Sequence, residues 1–241
     1  DRETIATELY GPAGQATANL LVGPESLVST NTSFEYDPEQ GAALLEEAGW
    51  TLDGDVRAKD GVEMRVVYQT TINPLRQKTQ EIVKQGWEQM GVPTELKSID
   101  AAVFFSSDAG NPDTLSHFYA DFQMFTNSPS VPYPIAYMAS WKSNEPETDI
   151  AQQANDWSGS NSNRWVNEEY NSLYEQAVTE LDPDRQRELF VAMNDLIVNE
   201  VVDIALVHRA DVVGANANLK GYNPSPWTPD VRDIANWYFE E

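Results

Sequence analysis

The stretch from residue 62 to residue 99, VEMRVVYQTTINPLRQKTQEIVKQGWEQMGVPTELKSI, decides the fold. Residues 62–69 (VEMRVVYQ) combine β-branched and aromatic side chains, and residues 92–99 (VPTELKSI) form a second strand candidate. Between them Asn73-Pro74 opens a helix, with Asn as the cap and Pro in the first turn. Ile82, Val83, Trp87 and Met90 then recur at helical spacing until Gly91 ends the run. Strand, helix and strand in so short a span predict a βαβ unit, two parallel strands joined by a right-handed crossover.

The same punctuation recurs on both sides. Asp37-Pro38 opens a segment with Leu44, Leu45 and Ala48 on one side, closed by Gly49 and followed by Trp50. Asn167 caps a helix carrying Tyr170, Leu173, Tyr174 and Ala177, and Asp182-Pro183 opens another carrying Leu189, Met193, Leu196 and Ile197. The short link between these two makes them antiparallel neighbours. Residues 119–125 (YADFQMF) and 203–208 (DIALVH) are further strand candidates, and residues 101–107 are a short amphipathic piece. Residues 110–113 and 126–134 are loops, and 143–163 is a long polar stretch that either wraps the surface or serves function. With helices and strands mixed throughout, the class is α/β, a mixed sheet flanked by helices.

Composition narrows the function. The chain has 241 residues, 41% of them hydrophobic, so one sizeable core is expected. Fifteen basic residues against 39 acidic ones give a net charge of -24, which repels phosphate backbones and anionic membrane surfaces. Nucleic acid is therefore not an expected partner, and no apolar run reaches the ~20 residues of a membrane-spanning helix. The acids spread along the whole chain, which favours solubility over the alternative, attraction of cationic ligands. With no cysteine, disulfides, thiolate metal sites and cysteine nucleophiles are all excluded. His117 and His208 lack metal-ligand spacing, so no metal and no cofactor is expected.

Catalytic patterns are equally sparse. Ser158-Gly159-Ser160 lacks the second flanking glycine of a nucleophile elbow, and no phosphate-binding glycine loop precedes a helix. Acid pairs such as Glu46/Glu47 and Glu168/Glu169 sit on helices, where they favour the dipole or face water. No enzymatic activity is expected. Trp141, Trp157 and Trp165 lie in or beside polar, irregular segments; each alone reads as an anchor, while together they suit a cleft that holds an extended organic ligand. Arg164 beside Trp165 is a candidate clamp for a carboxylate or carbonyl, or else a surface ion pair.

The chain resembles family 5 of the bacterial solute-binding proteins, the oligopeptide- and dipeptide-binding components of ABC importers. The resemblance runs in order through Asp1-Arg2-Glu3, Leu9-Tyr10-Gly11 and YDPEQGAALLEEAGW (residues 36–50). It continues through DGVEMRVVYQT, QMGV, and Asp100 with Phe104-Phe105. It returns at Asn161, Trp165-Val166-Asn167, Tyr170, LDPDRQRELF and IALVHR. It implies a periplasmic-binding-protein-like (type II) lobe, with residues 1–241 forming the C-terminal ligand-binding lobe of a two-lobed, monomeric receptor. The N-terminal lobe, with its targeting signal and usual lipid anchor, is then missing from this chain. The implied role is capture of a peptide or similar solute in the periplasm or outside the cell and delivery to ABC permease subunits; a sensory module reusing the lobe is the alternative. The implied ligand-binding positions are Phe104, Phe125, Thr126, Asn127, Ser128 and Ser130, beside Trp141, Arg164 and Trp165. The resemblance breaks at one point. Peptide binders follow the strand matching 119–125 with Gly-Trp and then an Asp that pairs with the peptide amino terminus, whereas here Ser130 stands where that acid would be. A neutral hydroxyl cannot make the charge-assisted bond to an ammonium, so a capped peptide, an opine-like compound or a sugar derivative becomes more plausible.

Overall fold

A computed structural model describes residues 1–240. At its centre lies a three-stranded, all-parallel sheet in the order Thr94–Ile99, Val66–Thr71, Phe122–Met124. The helix Pro74–Gln89 connects the first two strands in sequence, which gives the expected βαβ unit. Asn73 caps this helix by accepting from the Leu75 and Arg76 amides. Its inner face is more polar than its apolar spacing suggests: Thr79, Gln80 and Gly86 are the buried residues. Gln80 offsets the cost of its burial by donating to the Tyr68 carbonyl at 2.7 Å. Trp87 meets the sheet through Tyr68 and Phe122, with ring centroids 5.4 and 4.6 Å away.

Three strand candidates differ markedly from their sequence reading, and 119–125 is strand only over Phe122–Met124. The run 62–69 is broken at Met64 and Arg65. Val62–Glu63 closes a small antiparallel sheet with Val56–Lys59 and Thr51–Asp53, and Val66–Thr71 enters the parallel sheet. The switch is visible in the backbone, since the Met64 amide donates to Arg57 and the Val66 amide to Pro93. The run 203–208 is strand only over Val207–Arg209, paired antiparallel with Gly14–Ala16. Its earlier half is diverted: Asp203 accepts from the Trp141 indole and the Ala205 carbonyl accepts from Arg2. Parallel and antiparallel pairing thus both occur, but in separate sheets.

The helices Glu168–Thr179 and Pro183–Asn199 pack together as expected, capped by Asn167 and Asp182. Tyr170, Ala177, Leu189, Phe190, Met193 and Ile197 join Leu21, Leu27, Met138 and Trp141 in the main core. Asn194, fully buried, ties the N-terminal segment to it by accepting from the Leu20 and Leu21 amides. The helix Pro38–Glu47 is capped by Asp37 but buries no residue, and Leu44 on its apolar side stays exposed. The polar stretch 143–163 folds back on itself, joined by a bridge between Ile150 and Asn161.

Candidate functional site

Three parallel strands place their carboxyl ends on one edge of the sheet, and each hands the chain to a different loop. Such an edge is where open α/β sheets leave a crevice for ligands. Val66–Thr71 leads to Ile72 and Asn73, Thr94–Ile99 to Asp100 and the single turn Ala101–Phe104, and Phe122–Met124 to Phe125, Thr126, Asn127 and Ser128. Asp100 caps the single turn through the Ala102 amide. This orients Phe104 inward and Phe105 outward: Phe104 is 0% exposed, whereas Phe105 is 49% exposed. The two rings meet edge to face at 5.0 Å, and Phe125 lies 6.3 Å from each. Ile72 at 60% exposure and Leu75 add apolar surface beside them. Arg76 completes the group, its guanidinium 5.8 Å from the Phe105 ring centre and hydrogen-bonded to Thr71 Oγ1.

Of the nine ligand positions expected from sequence, Phe125, Thr126, Asn127, Ser128 and Ser130 fall on the loop that leaves this edge. Thr126, Asn127, Ser128 and Ser130 are exposed, and the Asn127 side-chain oxygen accepts from the Ser128 amide. Phe104 lies beneath the edge as a floor, and its neighbour Phe105 reaches the surface in its place. A single helical turn has no periodicity from which that choice could be read.

The other three positions make contacts within the scaffold. Trp141 is 5% exposed within the main core, and its indole N–H donates to Asp203 Oδ2 at 2.6 Å. Burial pushes the Asp203 carboxyl above its ordinary value, while the bonds from Trp141 and Asn163 pull it back down. Trp165 packs edge to face on Tyr170 at 5.1 Å and donates to Glu200. Arg164 forms no ion pair among the described residues. It donates to the carbonyls of Ala151, Ser162, Ser116 and His117 and lies 5.3 Å from the Trp157 ring centre. Trp157 in turn stacks on buried His117 at 4.4 Å. The tryptophan-rich segments are therefore sewn to the scaffold.

Sequence reasoning passed over Ile72, Leu75, Arg76 and Phe105. A signal for the first three existed, because they directly follow a strand of the βαβ unit at its carboxyl end. A second, polar groove of about 450 Å³ lies elsewhere, lined among others by Asn144, Val166, Glu168 and Glu175.

Residues 1–149, more than half of the chain, match the family described as bacterial extracellular solute-binding proteins, family 5 Middle. Among curated proteins, heme-binding protein A of Haemophilus influenzae is 24% identical over 239 residues, covering 96% of this chain and 38% of that protein. The nickel-binding periplasmic protein of Escherichia coli is 33% identical over 101 residues, covering 39% of this chain and 19% of that protein. Among solved structures, the oligopeptide binding protein from Thermus thermophilus, complexed with a pentapeptide, superposes with a TM-score of 0.77 at 22% identity. That match covers 92% of this chain and 38% of the other. The chain thus spans well under half the length of these proteins, and the structural likeness establishes the α/β, periplasmic-binding-protein-like fold.

Proposed function

Since the chain belongs to family 5 of the bacterial extracellular solute-binding proteins, we propose that it forms the C-terminal lobe of a two-lobed receptor. That receptor captures a peptide or peptide-like solute outside the cytoplasmic membrane and delivers it to an ABC importer. One observation carries the reading: the shared carboxyl edge of the parallel sheet, where Ile72, Leu75, Phe105 and Phe125 leave apolar surface uncovered beside the polar loop Thr126, Asn127, Ser128 and Ser130. An apolar wall with a few polar groups suits an organic solute closed in from the far side by a second lobe. The family consists of transport components, so the receptor binds without turnover.

A second reading, a solute without a free amino terminus, is favoured by the loop itself. No carboxylate lies between Thr126 and Ser130, so an ammonium has no charged partner there. The relatives named for heme and for nickel are consistent with a fold that serves more than peptides.

The test is calorimetry on the whole protein with a peptide library carrying free and acetylated amino termini, for wild type and for Phe105→Ala/Phe125→Ala. Binding weakened at least about tenfold in the double variant supports the edge as the solute wall. On this two-lobed reading the chain alone should bind weakly, since a second lobe would supply the facing wall of the cleft. Equal affinity of chain and whole protein contradicts the two-lobed reading.

A further inference from the structure

The helical hairpin carries apolar residues at its tip that the fold leaves uncovered. Leu181, in the turn between the helices Glu168–Thr179 and Pro183–Asn199, is 92% exposed, the highest value of any large apolar residue among those described. The turn is not a loose end. Glu180 Oε1 accepts from the Leu181 and Asp182 amides at 2.8 and 2.9 Å, the Glu180 carbonyl accepts from Gln186, and Asp182 caps the second helix. Bonded on both sides, it holds Leu181 out in water. Exposed Val178 precedes it on the first helix, next to Ala177, whose carbonyl accepts from the Tyr133 hydroxyl at 3.0 Å. Tyr133 and Val131 are themselves exposed and belong to the loop that leaves the carboxyl edge of the parallel sheet. Acids flank the tip. Glu175, Glu180 and Asp182 form no ion pair among the described residues, while Arg185 and Arg187 are taken up by Glu188 and Asp184 of the same hairpin. Single exposed apolar residues are ordinary, but a group held out by a fixed turn with an anionic collar is shaped for contact. A charge of -24 on each chain opposes a second copy there. The same charge opposes an anionic membrane surface, so a membrane-embedded partner has to be met by local complementarity.

We infer that Val131, Tyr133, Val178 and Leu181 form the surface by which this chain docks on the extracytoplasmic face of the ABC importer. The inference rests on the proposed role in delivery. The matching surface is an apolar pocket rimmed by lysine or arginine: the pocket takes Leu181, and the rim meets Glu175, Glu180 and Asp182. A desolvated apolar anchor supplies most of the binding energy of such a contact, and the rim charges speed the encounter. The placement suits delivery. The loop 126–134 carries the polar positions of the sheet edge at one end and Val131 and Tyr133 at the other. A receiver seated on the tip therefore touches the loop that faces the solute.

The whole protein is titrated against the importer, permease and ATPase subunits together in nanodiscs, with and without its co-purifying solute. Wild type is compared with Val178→Ala/Leu181→Ala, with Glu175→Gln/Glu180→Gln/Asp182→Asn, and with Leu44→Ala, a control that is also exposed but lies on the helix Pro38–Glu47. The apolar double variant should bind the importer about tenfold or more weakly, with its solute affinity unchanged by calorimetry. The charge variant should flatten the fall of the association rate with salt. Wild-type importer affinity in the double variant, a wild-type salt slope in the charge variant, or an equal loss in Leu44→Ala overturns the docking surface and leaves solute capture standing. Loss of solute affinity in the double variant overturns it as well, since the tip then belongs to the solute wall. The chain has no cysteine, so a maleimide reads the tip in the Leu181→Cys variant. Labelling in the free whole protein that is blocked by the importer is expected. Blocking before the importer is added assigns the tip to another part of the protein, and a dimer in sedimentation that the double variant abolishes assigns it to a second copy; either result overturns the proposal. A whole protein that binds solute but no importer sinks the delivery reading itself, and the docking surface with it.

Discussion

In the helical half of the chain, Trp141, Tyr170 and Phe190 are all at or below 5% exposure, and the polar atoms of the first two find acceptors in Asp203 and the Met138 carbonyl. At the carboxyl edge of the parallel sheet, Ile72, Leu75 and Phe105 remain uncovered, and Arg76 beside them forms no ion pair among the described residues. Both regions draw on the same kinds of residue, so the contrast does not come from composition. Isolated exposed apolar side chains are ordinary. A group of them on one edge, beside an unpaired cation and above a well-packed floor, marks a surface kept open for contact. The helical half supplies stability, and the sheet edge withholds some of it.

Substitutions that separate the two regions can break this contrast or sharpen it. The largest effect is expected in the core: Phe190→Ala should cost about 3–5 kcal/mol in chemical denaturation. A smaller loss would mean that the helical half is not the main store of stability. Asn194→Ala should follow at about 2–3 kcal/mol, because it strands the Leu20 and Leu21 amides in a buried site. Asp203→Asn should change the pH dependence of stability more than its size. Burial raises the Asp203 carboxyl above 3.8 in the folded state, so its ionised form costs stability at neutral pH. That cost fades as the pH falls through the raised value towards 3.8. Asparagine can still accept from the Trp141 indole without carrying charge. The variant's stability relative to wild type, measured by urea denaturation, should therefore be more favourable at about pH 7 than at about pH 4. An offset independent of pH would contradict the buried ionised acid. Smallest of all, Phe105→Ala should change stability by less than about 1 kcal/mol, since its ring is half-exposed. A core-sized loss there would erase the contrast.

Much of the scaffold was legible because its signals are local. Asp37, Asn73, Asn167 and Asp182 each announce a helix start, and each accepts the expected backbone N–H in the structure. The βαβ unit followed from those caps and two flanking strands. The break at Met64 and Arg65 was hidden, since a run rich in β-branched residues reads the same whether it serves one sheet or two. The site was legible only in part. The loop at Thr126, Asn127, Ser128 and Ser130 was found through family resemblance and falls on the edge. Trp141, Arg164 and Trp165 were singled out by residue type and polar surroundings, and the structure adds the contacts they make within the scaffold. Which way a tryptophan faces is set by partners distant in sequence, such as Asp203 for Trp141 and Glu200 for Trp165. Phe105 depends on the same kind of long-range placement, because only the assembled sheet edge gives it a role.

Hydrogen–deuterium exchange on the whole protein, with and without its co-purifying solute, tests the carboxyl edge most directly. Solute should slow exchange at residues 71–76, 100–105 and 125–130, and leave the helices Glu168–Thr179 and Pro183–Asn199 nearly unchanged. Protection centred instead on the polar groove around Asn144, Val166, Glu168 and Glu175 would contradict the assignment of the solute wall to the sheet edge.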